Sequence, residues 1–260
     1  MNEYEIFLNR TANSSSLYSE ITEKLSLNTE NPDIEEFFRN ADDNTKLKVY
    51  ISNEDIQNPE LDDIINRLSA YAADYNIPLE IIDDEFLNIL DESDRITSVS
   101  KPRTVVHKNG DLHPTVHTWI IKRRDMGVYV LLQKRSDNKE IHPGCYDISS
   151  AGHVTQGGEY RSAALRELYE ELGIEVSPAS LEYIGKKKNY FSSGDIIDNE
   201  YSSVYLYRGD VDIDNLVLQK SEVSEVCWAE IDELLSVMPL NKLKHCISPE
   251  ELLMIKKAVF

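Results

Sequence analysis

Polar and apolar side chains alternate over Lys46-Leu47-Lys48-Val49-Tyr50-Ile51, the period of a half-buried strand. Asn58-Pro59 then supplies a helix cap and a first-turn proline. Leu61, Ile64, Ile65, Leu68, Tyr71 and Ala72 follow at one-face helical spacing, until Pro78 breaks the pattern ahead of a strand at Leu79-Glu80-Ile81-Ile82. With a leading strand at Glu3–Leu8 and two short helices, residues 1–84 are expected to form a small α/β unit. No chemical motif falls in it. The expectation is an accessory domain that forms a homodimer or binds a partner.

Residues 85–260 form a second region, entered through a polar segment that runs from Asp83 to Arg103. Strands are expected at Val116–Lys122 and Val128–Arg135, joined by a short turn around Asp125–Gly127. A loop with His142-Pro143-Gly144 and a glycine-rich turn from Gly152 to Gly158 lead into a helix over Arg161–Leu172, with Gly173 as its stop. Later strands are expected at Leu181–Ile184, Tyr201–Tyr207 and Val223–Trp228, and Ser248-Pro249-Glu250-Glu251 caps a last helix.

Composition narrows the function. Forty-seven acidic against 27 basic residues give a formal charge of −20, which repels nucleic acid polymers and anionic lipid. The first 84 residues carry 19 acidic and 6 basic side chains, whereas all six histidines and all three cysteines come later. Chemistry is therefore expected in the second region. No apolar run has membrane-spanning length, the acidic N-terminus does not read as a signal peptide, and Cys145, Cys227 and Cys246 lack metal-ligand spacing. A cytoplasmic protein without a membrane partner is expected.

The helix carries the candidate chemistry. Glu167, Glu170 and Glu171 stand at i, i+3 and i+4, which gathers three like charges on one side, with Arg166 to offset them. Leu165, Leu168 and Leu172 form the opposite stripe. A solvated acidic face would account for three glutamates, and so would a hard divalent cation such as Mg²⁺ shared with substrate phosphates. The preceding turn, Gly152-His153-Val154-Thr155-Gln156-Gly157-Gly158, adds glycines that let backbone groups approach a metal or phosphate closely.

Gly152 through Ile174 resembles the Nudix box: a glycine, five residues, a glutamate, seven residues, then R-E-U-x-E-E-x-G-U with U aliphatic. The stretch Arg166-Glu167-Leu168-Tyr169-Glu170-Glu171-Leu172-Gly173-Ile174 matches in full. The one departure is Gly158 at the first glutamate position, with Glu159 one residue later. The resemblance implies a Nudix α/β/α sandwich with a mixed sheet. It implies that Glu170 and Glu171 ligate Mg²⁺ or Mn²⁺ together with the Gly152 carbonyl. Glu167 would be a further ligand or the catalytic base, oriented by Arg166, and Glu222, ahead of a late strand, an extra ligand or base. Gly158 bears on how the loop is anchored, a role that Glu159 could take.

The wider pattern, from His107-Lys108-Asn109-Gly110-Asp111-Leu112-His113 through Trp119 and Lys134-Arg135 to Ala151-Gly152-His153, resembles the Nudix branch that includes isopentenyl-diphosphate isomerase. That likeness implies a second divalent site at His107, His113, His153, Asp198 and Glu200, whose donors suit Zn²⁺, Mn²⁺ or Mg²⁺. Ala151 stands where the isomerase has its catalytic cysteine, and alanine cannot move a proton across an allylic carbon. Hydrolysis of a small-molecule diphosphate, a nucleoside diphosphate derivative or an isoprenoid diphosphate, is therefore expected over isomerisation or non-catalytic nucleotide sensing. Lys134 and Arg135 are candidate phosphate ligands, Tyr190 and Phe191 either stack on a base or pack in the core, and His117, His142 and His245 are expected to be structural.

Overall fold

The computed structural model describes residues 2–8, 38–39, 41, 45–52, 59–124, 127–240 and 242–259. Two compact units emerge, one from residues 1–87 and 99–108 and the other from 88–98 and 109–260.

The first unit is built on a three-stranded parallel sheet of β1 (Asn2–Leu8), β2 (Thr45–Ile51) and β3 (Leu79–Asp83), with β2 central. Parallel neighbours need a crossover, and α1 (Pro59–Asp74) supplies it between β2 and β3. Its apolar stripe, Leu61, Ile64, Leu68 and Ala72, is buried against Ile6, Leu8, Leu47 and Val49 of the sheet. The two short helices expected after β1 fall mainly outside the described residues, as do Asn58 and the turn residues Asp125 and Met126.

The polar segment after Asp83 is more ordered than its composition suggests. It forms a hairpin, β4 (Phe86–Leu90) with β5 (Ile96–Pro102), followed by a short helix α2 (Arg103–Asn109). Periodicity misses these elements because their short runs alternate too briefly to register. Asp84 accepts hydrogen bonds from the Thr104 amide (3.0 Å) and hydroxyl (2.6 Å), satisfying an otherwise open N–H at the start of α2.

The second unit has a mixed sheet in the order β10 (Leu181–Ser193), β11 (Ile196–Tyr207), β6 (His113–Arg124), β7 (Gly127–Arg135), β12 (Val223–Glu230). β11 runs parallel to β6, and the other pairs on this path are antiparallel. Only Ile121–Arg124 of β6 pairs with β7. Nearer its start, Thr115–Thr118 pairs with β9 (Ser150–His153), while the far end of β7 pairs with β8 (Tyr146–Asp147). The two central strands thus part, and short strands fill the gap. The third and fourth strands expected from periodicity are longer than predicted, because β10 and β11 continue as one hairpin to a turn at Gly194-Asp195.

Strand alternation sorts the core into two layers. Trp119 and Ile121 of β6 pack with α4 (Ile231–Val237) and α5 (Pro249–Val259), through Ile231, Leu234, Leu252 and Ile255. Val116 and Ile120, on the other face, pack with α3 (Tyr160–Leu172) through Ala163, Ala164, Leu168 and Leu172. The result is the expected α/β/α sandwich. Leu165 is only partly buried, so the inward stripe of α3 runs through the two alanines instead. Gly173 ends the helix at φ 70° with its N–H bonded to Leu168 and Tyr169 carbonyls, a left-handed conformation that glycine adopts without strain.

Candidate active site and metal centres

β9 is a four-residue wall between two sets of ionisable groups. Its even-numbered residues face α3, and its odd-numbered residues face the α4–α5 side, where Ala151 joins that core layer.

On the α3 side, the three glutamates diverge. Glu171 turns inward, only 6% exposed, and accepts a hydrogen bond from the Ala151 amide at 3.2 Å. Burial, and then the charge of Glu167, push its carboxyl up to about 8, against the opposing hydrogen bonds from Ser150 and Ala151. Glu170 lies toward solvent and meets the Arg166 guanidinium at 2.8 Å. The same guanidinium meets Glu167 at 2.7 Å and donates to the His153 carbonyl at 3.1 Å, so one side chain ties two carboxylates to the end of β9.

Gly152 is the position that cannot carry a side chain. A Cβ built there would stand 2.0 Å from the Glu167 carboxyl carbon, so Glu167 lies where any other residue would put its side chain. Glu167 and Glu171 crowd this open backbone segment as hard oxygen donors whose mutual repulsion a divalent cation would relieve, while Glu170 stands apart on Arg166. These residues fit Mg²⁺ or Mn²⁺.

The loop between β9 and α3 is anchored from elsewhere in the sequence. Asn88 of β4, 4% exposed, donates its side-chain amide to the Thr155 carbonyl (2.8 Å) and the Gly158 carbonyl (3.4 Å), and its backbone N–H to Val154 (3.3 Å). Glu159 makes no capping hydrogen bond at the start of α3. Asn88, not Glu159, therefore does the holding at the place where Gly158 departs from the box pattern. No sequence spacing marks this contact, because it joins residues 67 and 70 positions apart.

On the opposite side of β9, His113, Asp198 and Glu200 bring one ligand atom each to within 4.8 Å of one another. The His113 Nε2 lies 3.5 Å from Asp198 and 3.9 Å from Glu200. Its Nδ1 lies 2.9 Å from the Asp111 carbonyl, which can only accept, so Nδ1 carries the proton and Nε2 faces the acids. The His153 ring stands 5.4 Å from that of His113. Burial and the neighbouring Asp198 carboxylate push the Glu200 carboxyl up. Imidazole and carboxylate donors at this spacing suit a borderline or hard divalent ion. His107 is buried on α2, which belongs to the first unit, so the second unit's own set is His113, His153, Asp198 and Glu200.

The remaining candidates have other partners. Glu222 pairs with Lys139 on the loop after β7. Arg135 meets Asp147 at 3.1 Å and donates twice to the Ile141 carbonyl, bracing that same loop, while Lys134 meets Glu225 at 3.4 Å. Phe191 lies against His142, ring centroids 4.6 Å apart, and Tyr190 is exposed.

His117 was expected to be structural, and its surroundings are more specific than that. Its Nδ1 lies 2.9 and 3.0 Å from the two oxygens of Glu251 on α5, and the Trp119 indole donates to the same carboxylate at 2.7 Å. Burial alone would lower the ring's pKa, but Glu251 outweighs it and the value rises to about 9. Burial would likewise raise the Glu251 carboxyl, and His117 with Trp119 holds it below its ordinary value. The capping pattern around Ser248 pointed to Glu251 only as part of a helix start.

Residues 111–250 match the NUDIX domain, and the chain belongs to the Nudix family. It is a Nudix hydrolase by kinship: an uncharacterised Nudix hydrolase of Clostridium acetobutylicum is 40% identical over 153 residues, 59% of this chain and 73% of that protein. A protein from Deinococcus radiodurans of known crystal structure shares the fold, with a TM-score of 0.51 at 21% identity over 65% of this chain and 97% of that one. An isopentenyl-diphosphate Δ-isomerase of Klebsiella pneumoniae is a weaker relative, 24% identical over 154 residues, 59% of this chain and 80% of that protein. No described helix is long and apolar enough to cross a membrane.

Two stability measurements check the electrostatics. The folded pKa of His117 exceeds its ordinary 6.5, so the pair's contribution is complete below pH 6.5 and is lost as pH rises through about 9. Urea titration of wild type and Glu251→Gln should therefore show a gap of about 2–3 kcal/mol at pH 6 that closes by pH 10. Glu171 has the opposite effect: its folded pKa, raised above 4.5 to about 8, makes stability fall as pH rises between those values. Without metal at pH 8, Glu171→Gln should unfold at higher denaturant than wild type, by about 1–3 kcal/mol.

Proposed function

We propose that this chain hydrolyses a diphosphate linkage in a nucleoside diphosphate derivative or an isoprenoid diphosphate, with Mg²⁺ or Mn²⁺ held by Glu167, Glu170, Glu171 and the Gly152 carbonyl. The observation that carries the reading is Gly152, where the Glu167 carboxyl occupies the space of an absent side chain beside the buried Glu171. Such crowding of like charge is costly without a cation and useful with one.

When bound, the cation neutralises phosphoryl oxygens and lowers the pKa of a coordinated water. Glu167, the carboxylate nearest the Gly152 backbone, accepts the proton of the attacking water. Arg166 fixes its orientation through the 2.7 Å contact and cancels part of the repulsion with Glu170. Glu171, whose carboxyl burial and Glu167 hold well above the usual carboxylate range, would ligate the cation as the carboxylate. His113, His153, Asp198 and Glu200 would hold a second Mn²⁺, Mg²⁺ or Zn²⁺ on the other side of β9. Arg135 acts by bracing the loop after β7, Lys134 remains the candidate for phosphate contact, and Glu222 is a reserve base while it is paired with Lys139.

The His113 cluster favours an isoprenoid diphosphate among the substrates, because it falls on the positions that resemble the isomerase's second metal site. Ala151 argues against isomerisation itself. Its methyl group leaves no acid or base at the allylic carbon. Three free cysteines support a reducing, cytoplasmic setting, and the first unit is assigned to self-association or partner binding.

A screen of diphosphate compounds with Mg²⁺ and Mn²⁺ tests the reading, with product identified by phosphorus NMR. Glu167→Gln and Glu170→Gln should each lower kcat on the order of 10³-fold, about 4 kcal/mol of transition-state stabilisation. Rates equal to wild type would remove the α3 carboxylates from the mechanism. Asn88→Ala should cost the loop its anchor and lower kcat roughly tenfold, with a change in Tm of only a few degrees; an unaltered kcat would show that the loop holds itself.

A further inference from the structure

We infer that His117 is a further binding residue beside the second candidate centre, an imidazole gripped from beneath by Glu251 whose outer Nε2–H donates to a phosphoryl oxygen of a diphosphate that reaches that centre. The ligand's class rests on the diphosphate reading above; the residue's role rests on geometry.

Position comes first. His113, Thr115 and His117 alternate along β6, so all three point to the same side of the sheet as His153, Asp198 and Glu200. Ala151, with only a methyl group, is the register partner of His117 on β9. His117 therefore lies on the same face as the second candidate metal centre without belonging to its ligand group.

The ring's two nitrogens are in different situations. Nδ1 faces both oxygens of Glu251, a carboxylate that is 2% exposed and also accepts from Trp119. Nε2 has no hydrogen-bond partner among the described residues, and the His117 side chain is 15% exposed, so the ring opens on the side away from Glu251. A sealed carboxylate beneath an imidazole that is 15% exposed favours the charged ring, in line with its raised pKa. A ring protonated on both nitrogens has no lone pair for a metal, so Nε2–H can only donate, and an oxyanion is a better acceptor for it than water.

The neighbours define which oxyanion. The charges that act on His117 are Glu251 from α5, Glu200 from β11 and Asp147 from β8, and Lys187 of β10 acts on Glu251. A simple carboxylate ligand would be repelled by Glu200 and Asp147. A diphosphate that brings or shares a divalent cation is not, because the cation satisfies Glu200 while a second phosphoryl oxygen reaches the imidazolium. Glu251 is then a positioning residue that fixes the ring's tautomer and charge.

The test uses the full chain with Mg²⁺ and inorganic diphosphate, together with the best substrate from the screen. Calorimetry should give a dissociation constant for diphosphate that is weakened roughly 10- to 100-fold in His117→Asn, with the same loss in KM. In protein labelled with ¹⁵N-histidine, the His117 Nε2 resonance should shift on diphosphate addition. Glu251→Gln should weaken binding less and move the alkaline limb of the KM profile to lower pH, an effect that lost packing would not produce. Melting curves of both variants confirm that they are folded. If wild type hydrolyses its substrate, while His117→Asn binds diphosphate as well as wild type and the resonance stays fixed, the inference falls and the hydrolase reading stands. If His117-dependent binding occurs without hydrolysis of any compound, the inference stands and the hydrolase reading falls. Absence of both binding and hydrolysis overturns the two together.

Discussion

The close approach of Glu167 to Gly152 sets the geometry of the whole α3 side of the site. It requires a residue without a Cβ on β9, a helix that begins near enough for its second turn to face that residue, and a guanidinium to hold the carboxylate in place. The helix is pinned by Leu168 and Leu172 in the core and by the Gly173 stop. β9 is pinned by pairing with β6. Both restraints are cooperative, so the carboxylate cluster is presented on rigid elements rather than on a loop, the condition under which a site can keep its shape while its charges change.

β9 does more than face α3. Because side chains alternate, a strand of four residues serves two different donor sets, carboxylates by way of Gly152 and imidazole with carboxylates by way of His153. The gap that makes room for β9 comes from the parting of β6 and β7, which pair over only four residues of β6. A fully paired β6–β7 ladder would exclude β9 and leave α3 facing an ordinary apolar sheet. Irregular pairing is thus the structural precondition for the site.

Much of this was legible in the sequence, and the reason is locality. The α3 pattern, the glycine stop and the strand alternation of β2 and β6 arise from contacts within a few residues, so spacing encodes them directly. The β4–β5 hairpin and α2 are short, and β4 is a nearly continuous apolar run, so they leave no periodic trace. Asn88 and Glu251 escaped notice for a different reason: each acts on a segment far along the chain, 67 and 134 positions from its partner. Asparagine and glutamate in an acidic protein look like solvated surface until the fold buries them. Burial also divided the three glutamates of α3, which spacing alone had grouped as equals.

The chain's acidity raises a question of balance for any anionic ligand. With a formal charge of −20, the average field repels a diphosphate. What counts is the local field, where single charges that are partly buried act more strongly than in bulk water. There the protein sets cations against its own carboxylates at close range: Arg166 against Glu167 and Glu170, His117 against Glu251, Arg135 against Asp147. Each pair leaves one member partly open, and in the His117 pair the open member is the cation. An arrangement in which the carboxylate is sealed and the cation is the more exposed partner converts a buried ion pair, whose net contribution to stability is modest, into a fixed positive site beside β9. In a protein this acidic, such inversion lets a locally favourable contact exist against an unfavourable overall field.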